Sequence, residues 1–84
     1  MITYNITEVI YNEEGFVVTT ISNQLKERHE AISMFQTRRD MLLNTKDSRI
    51  VIDTIEFEKD MWKFKIMNAD CCEIELTLYT TQLV

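Results

Sequence analysis

The stretch NQLKERHEAISMFQTRRDMLLN, residues Asn23 to Asn44, decides the fold. Its Leu, Lys, Glu, Arg, Ala, Met and Gln lose little rotamer freedom in a helix. Ser22 or Asn23 offers a side-chain oxygen to the first unpaired backbone N–H groups, and the next strand-forming run comes only after Asn44-Thr45-Lys46-Asp47-Ser48. At about 100° per residue, Leu25, Ala31, Ile32, Phe35, Leu42 and Leu43 share one arc, while Lys26, Glu30, Ser33, Thr37, Asp40 and Asn44 fall opposite it. One long helix with one packing face is expected, so the flanking chain must supply the surface it lies on. Arg28 and Arg39 also project into the apolar arc, where their methylene stems cover the core edge and their guanidinium groups reach for water or an acid.

Both flanks read as strands. Before the helix, Ile2, Tyr4 and Ile6 alternate with Thr3, Asn5 and Thr7 until the phase is lost at Glu8-Val9-Ile10-Tyr11, as a bulge or a strand apolar on both faces would produce. Asn12-Glu13-Glu14-Gly15 places the chain's only glycine where a hairpin turn needs positive φ, and the second strand runs from Phe16 to Ile21. After the helix, a hairpin tip at Lys59-Asp60 sets Phe57 against Trp62, Ile55 against Phe64 and Glu56 against Lys63. A loop at Asn68-Ala69-Asp70 sets Ile66 against Cys72, Phe64 against Ile74, Trp62 against Leu76, Lys65 against Glu73 and Lys63 against Glu75. One side of this meander is then an apolar layer and the other a lattice of Glu and Lys, the arrangement that cross-strand pairing favours.

The same register puts Asp53 on the core side, in phase with Val51, Ile55 and Phe57. An unpaired buried carboxylate is costly, so a structural ion pair with an inward-facing arginine is expected, Arg39 before Arg28. The chain therefore reads as a single domain, residues 1–84, of the α+β class. It is a two-layer sandwich ordered β-β-α-β-β-β, a five-stranded, mainly antiparallel sheet with one long helix across one face. Strand order 2-1-5-4-3 is preferred over 1-2-3-4-5, because the last strand is long enough to pair on both sides.

Composition bounds the function. Eighty-four residues allow one modest core. No apolar run spans a bilayer, and Met1-Ile2-Thr3-Tyr4-Asn5 has neither the basic flank nor the apolar stretch of a signal peptide, so a cytoplasmic protein with no membrane contact is expected. Cys71 and Cys72 are adjacent; a disulfide between neighbours is strained, and two thiols with the distant His29 make no zinc tetrahedron, so reduced thiols and no metal site are expected. The net charge is −5, with the segment from Leu25 to Arg49 mildly basic and the segments on either side of it acidic. Direct nucleic-acid binding is not expected, since phosphate contacts want concentrated Lys and Arg.

Catalysis needs a nucleophile with its base, a metal cluster or a phosphate cradle, and the sequence offers none of these. No catalytic residue, no cofactor and no enzymatic activity are expected. What remains is surface. Glu56, Glu58, Glu73 and Glu75 on the sheet face away from the helix, with the hairpin tips at Glu13-Glu14 and Asp60, form a candidate acidic surface for another protein. Such a surface can occupy a basic groove that otherwise holds nucleic acid, which makes an inhibitor or decoy of a nucleic-acid-binding protein one expectation. The likeness to small phage and mobile-element inhibitors is one of size, charge and architecture alone. Met34 and Met41, expected one above the other on the helix side opposite the core, offer a second contact. The alternative is a self-associating structural or assembly subunit, a homodimer through an uncovered strand edge being its simplest form.

Overall fold

The computed structural model describes residues 1–44, 47–68 and 72–82. The elements follow in the order β1 (Ile2–Tyr11), β2 (Val17–Leu25), α1 (Arg28–Leu43), β3 (Arg49–Glu58), β4 (Met61–Met67) and β5 (Glu73–Gln82). All five strands join one antiparallel sheet in the order β2-β1-β5-β4-β3. This α+β sandwich leaves one face of the sheet open and covers the other with α1. The ten-residue β5 pairs along β1 on one side and β4 on the other, which makes β2 and β3 the two edges.

The core lies between α1 and the middle of the sheet. Ala31, Phe35 and Leu42 of the helix meet Ile6, Phe64, Ile66, Leu76 and Leu78 of the three central strands, all buried. The Phe35 and Trp62 rings meet edge to face, with centroids 5.7 Å apart, a favoured aromatic geometry.

The helix begins later than its propensity suggests. Residues from Asn23 to Leu25 belong to β2, where Asn23 pairs with Ile6, Gln24 with Asn5 and Leu25 with Tyr4. A continuous backbone ladder with β1 outweighs the weak helix preference of Ser22 and Asn23. Glu27 takes the N-cap position in extended conformation (φ −103°, ψ 128°), with no side-chain cap bond. Leu25 thus joins the core margin from a strand rather than from the helix.

The first turn is built by Asn12. Its Oδ1 accepts from the N–H groups of Glu14 (3.0 Å) and Phe16 (2.9 Å), its carbonyl accepts from the Gly15 N–H at 2.9 Å, and Gly15 closes the turn at φ 89°. This is a four-residue turn closed by a glycine in the left-handed region, a common way to end a hairpin loop. No break of phase occurs along β1 against β5, which pair in one register from Ile2–Gln82 to Tyr11–Glu73. Glu8 therefore continues the helix-facing row of Tyr4 and Ile6 and is buried.

Two strand registers differ from expectation. Between β4 and β5, Phe64 pairs with Leu76, Ile66 with Ile74 and Lys65 with Glu75. The shift is two residues, so every side chain keeps its face. Between β3 and β4 the closing pair, Glu58–Met61, flanks the Lys59–Asp60 turn, but β3 carries register shifts at Glu56/Glu58, Ile52/Ile55 and Ile50/Ile52. Each extra residue exchanges the faces of what precedes it. Glu56 consequently pairs with Trp62 and Ile55 with Lys63, which removes Ile55 and Phe57 from the apolar layer and leaves both exposed, as is Val51. Of the expected loop and thiol pair, Ala69, Asp70 and Cys71 lie outside the described residues, as do Thr45, Lys46 and the tail Leu83-Val84. Cys72 is half-buried, its backbone N–H donating to Asn68 Oδ1 at 3.0 Å.

Candidate functional site

Three helix arginines tie α1 to the sheet. Arg28 Nη2 lies 2.8 Å from Asp60 Oδ1, Arg38 Nη2 lies 2.6 Å from Glu8 Oε1, and Arg39 Nη2 lies 2.6 Å from Asp53 Oδ1. Neighbouring residues on a helix diverge by about 100°, so Arg38 and Arg39 leave opposite flanks and reach β1 and β3 respectively. Arg28 does not approach Asp53 as a second choice of partner; it holds Asp60, a buried residue at φ 59° whose backbone N–H donates to Glu56 Oε1 at 3.2 Å. Arg28 on its carboxylate and Glu56 on its backbone N–H thus restrain this left-handed turn residue from two sides, and Asp60 is not available to a binding partner.

Asp53 sits at the rim, its side chain 56% exposed. The hydrogen bond from Arg39 holds its carboxyl below the ordinary value of 3.8, against a smaller opposing effect of desolvation. Arg39 also lies over the Phe64 ring, 5.3 Å from guanidinium carbon to centroid. Its Nε, like Trp62 Nε1, is buried without a hydrogen-bond partner among the described residues.

The Glu8–Arg38 pair is not among the expected contacts. Glu8 falls at an apparent break of alternation in the sequence, although strict period-2 continuation of Tyr4 and Ile6 places it inward. An acid in an inward row is itself a signal that a basic partner stands across from it.

The expected acidic surface is not assembled. On the open face Lys65 stands 3.5 Å from both Glu73 and Glu75, and Lys63 stands 4.0 Å from Glu75. Burial alone would lower the Lys65 ammonium; the two carboxylates outweigh it and raise the group above 10.5. Glu56 has moved to the helix side with Trp62, and its neighbour across the bulge, Phe57, instead places its ring 5.9 Å from Lys63 Nζ. Tyr11 and Met67 both pair with Glu73, whereas Lys59-Asp60 precedes the opposite end of β4. The tips at Glu13-Glu14 and at Glu58 to Asp60 therefore stand at opposite ends of a molecule 41 Å long. Met34 packs against the core and is half-buried, while Met41 is exposed.

What the surface does gather is apolar. Phe16, Val17, Val18 and Ile21 are exposed on and beside β2, and Ile50, Val51, Ile55 and Phe57 are exposed on β3. The two edges differ in kind. β3 carries Arg49, Asp53, Glu56 and Glu58 and three register shifts, whereas β2, Val17–Leu25, carries no charged residue. Among the described residues, no group of three or more His, Cys, Asp or Glu side chains is placed to hold a metal ion, and no helix is long and apolar enough to cross a membrane. Compared with models of known families, with curated proteins and with solved structures, the chain gives no match.

Proposed function

We propose that the protein is a non-enzymatic protein-binding domain that makes its contacts through the edges of its sheet. One observation carries this reading: most of the exposed large apolar side chains lie on or beside the two edge strands, where unpaired backbone groups accompany them, with Met1, Ile2, Met41 and Tyr79 the others among the described residues. Apolar residues on an unpaired edge provide both the backbone template and the contact area of strand addition. The ionisable groups point the same way, since Glu8, Asp53, Asp60, Glu73 and Glu75 are engaged by arginine or lysine. The decoy form of the reading, an acidic surface offered to the basic groove of a nucleic-acid-binding protein, draws on the remaining acids at Glu13, Glu14 and Glu58, and is tested together with it.

The test is affinity capture from a nuclease-treated bacterial lysate at low and high salt. Wild type is compared with Ile55→Lys/Phe57→Lys and with a Glu13→Lys/Glu14→Lys/Glu58→Lys variant, each checked for folding. A captured protein held at high salt and lost with the β3 substitutions supports edge binding. One lost at high salt and with the charge reversals supports the decoy form, because screening weakens exposed charge contacts. Identical capture by all three proteins overturns both.

A further inference from the structure

We infer that β2 is a self-association edge: two copies join their β2 strands antiparallel about a two-fold axis at Ile21, extending two five-stranded sheets into one of ten. The inference rests on the edge-binding reading and names its partner as a second copy of this chain.

The contrast between the edges is the starting point. Natural edge strands are guarded against pairing by charges, bulges or proline. β3 is guarded by its acids and its three register shifts, and β2 is not. Over Val17–Leu25 no residue is charged, and the one irregularity against β1 lies at the turn end, where Val18 is the extra residue between the Ile10–Thr19 and Tyr11–Val17 pairs. All but Leu25 of this strand are exposed.

The second copy is selected by what flanks the strand. An antiparallel pairing centred on Ile21 sets Thr20 against Ser22 of the other copy and Thr19 against Asn23, within the regular part of the strand. Just beyond the strand, it brings the acidic turn of one copy, Glu13 and Glu14, towards the exposed Lys26 of the other, while Arg28 stays engaged with Asp60. The acidic turn before β2 thus approaches the base that follows it, twice, once at each end of the joint strand. Glu27 lies next to that base and offsets part of the attraction. Such self-complementarity is what a two-fold interface requires, because the same patch serves both sides. A partner with a different charge pattern would not meet it at both ends.

The helix side adds apolar contact. Arg38 lines a hollow with Ile21 and Asn23 and another with Met34, and it donates from Nη1 to Met41 Sδ at 3.9 Å. This flank of α1 therefore overlooks β2, with Met41 and Ile21 exposed upon it. A two-fold axis perpendicular to the sheet keeps both helices on one face, so Ile21 meets its own copy between the two methionine-bearing flanks.

Sedimentation equilibrium from about 1 to about 100 µM, a range in which interfaces of modest area associate, tests the inference. Wild type should move towards twice the 10.0 kDa of one chain. Ile21→Lys, which sets like charges against each other at the axis, should weaken association about ten-fold or more. Glu13→Lys/Glu14→Lys should weaken it at low salt without touching the strand, and adding Lys26→Glu should restore part of the loss. A wild type that stays at 10.0 kDa throughout overturns the inference. So does a dimer indifferent to both Ile21→Lys and the charge reversals. A monomer that still captures another protein through β3 leaves the edge-binding reading standing while removing this one, so the two failures are distinguishable.

Discussion

Arg38 keeps 37% of its side chain exposed while Glu8, its ion-pair partner, keeps 8%, so loss of one is not equivalent to loss of the other. Removing the arginine strands a carboxylate inside; removing the acid leaves a guanidinium that can turn to water. Arg38→Ala should cost about 2 to 4 kcal/mol in urea unfolding, short of a wholly buried pair because Arg38 itself stays wet. Glu8→Leu should lie within about 1 kcal/mol of wild type, because an apolar isostere suits that row. The rim pair of Asp53 and Arg39 behaves differently. The Asp53 carboxyl is lowered below 3.8 by the Arg39 hydrogen bond, so its contribution is present above that value and lost as pH falls through the lowered one. Lys65 is raised above 10.5 by Glu73 and Glu75 against desolvation, so its contribution is full below 10.5 and lost as pH rises through the raised value. The stability gap between wild type and Asp53→Asn should close only in acid, and that between wild type and Lys65→Gln only in strong base, as read from urea unfolding across pH.

Among the elements, α1 is the one with an unfilled terminus. Glu27 has the extended backbone of an N-cap but makes no side-chain cap bond, and the last turn has no basic residue. The first free N–H groups of the helix are better served by a short oxygen-bearing side chain than by a long carboxylate. Glu27→Ser or Glu27→Asp should therefore raise stability by about 0.5 to 1 kcal/mol, with a corresponding increase in Tm. The substitution leaves the three arginine contacts in place, so the gain reports the cap alone. In β3 the bulges do the opposite kind of work. They turn Glu56 towards the Asp60 N–H and leave Ile55 and Phe57 exposed, while two shifts together return Asp53 to the inward phase in which it meets Arg39.

The whole molecule is layered in stability as well as in structure. A chain of this length has about 4 to 13 kcal/mol of net stability, and among the described residues its buried apolar side chains come from α1, β1, β4 and β5, with none from β2 or β3. Opening of an edge strand exposes little buried apolar area, whereas opening of a central strand dismantles the core. Native-state hydrogen exchange should show the slowest amides in β4, β5 and the middle of β1, exchanging near the global limit, and faster amides in β3. In β2 the exchange should slow as protein concentration rises, if the second copy covers that edge. Equal protection across all five strands would contradict this layering.

Periodicity and turn residues in the sequence were enough to determine the α+β class and the element order, and to favour strand order 2-1-5-4-3 over 1-2-3-4-5, a choice that the tertiary structure made. They also placed Ala31, Phe35 and Leu42 in the core, because these depend on local alternation and on which strand is long enough to pair twice. The sequence also located both hairpin tips, through Gly15 and Lys59-Asp60. Only the tertiary structure decided where β2 ends and α1 begins, since residues 23–25 have comparable local preferences and the ladder with β1 settles the choice. It alone placed the bulges of β3, because the Asp60 turn that Glu56 supports is itself held by Arg28, remote in sequence from the residues displaced. For the same reason the acids read as one surface are divided between two faces and two ends: a shift of one residue exchanges faces, and no local pattern in β3 records that shift.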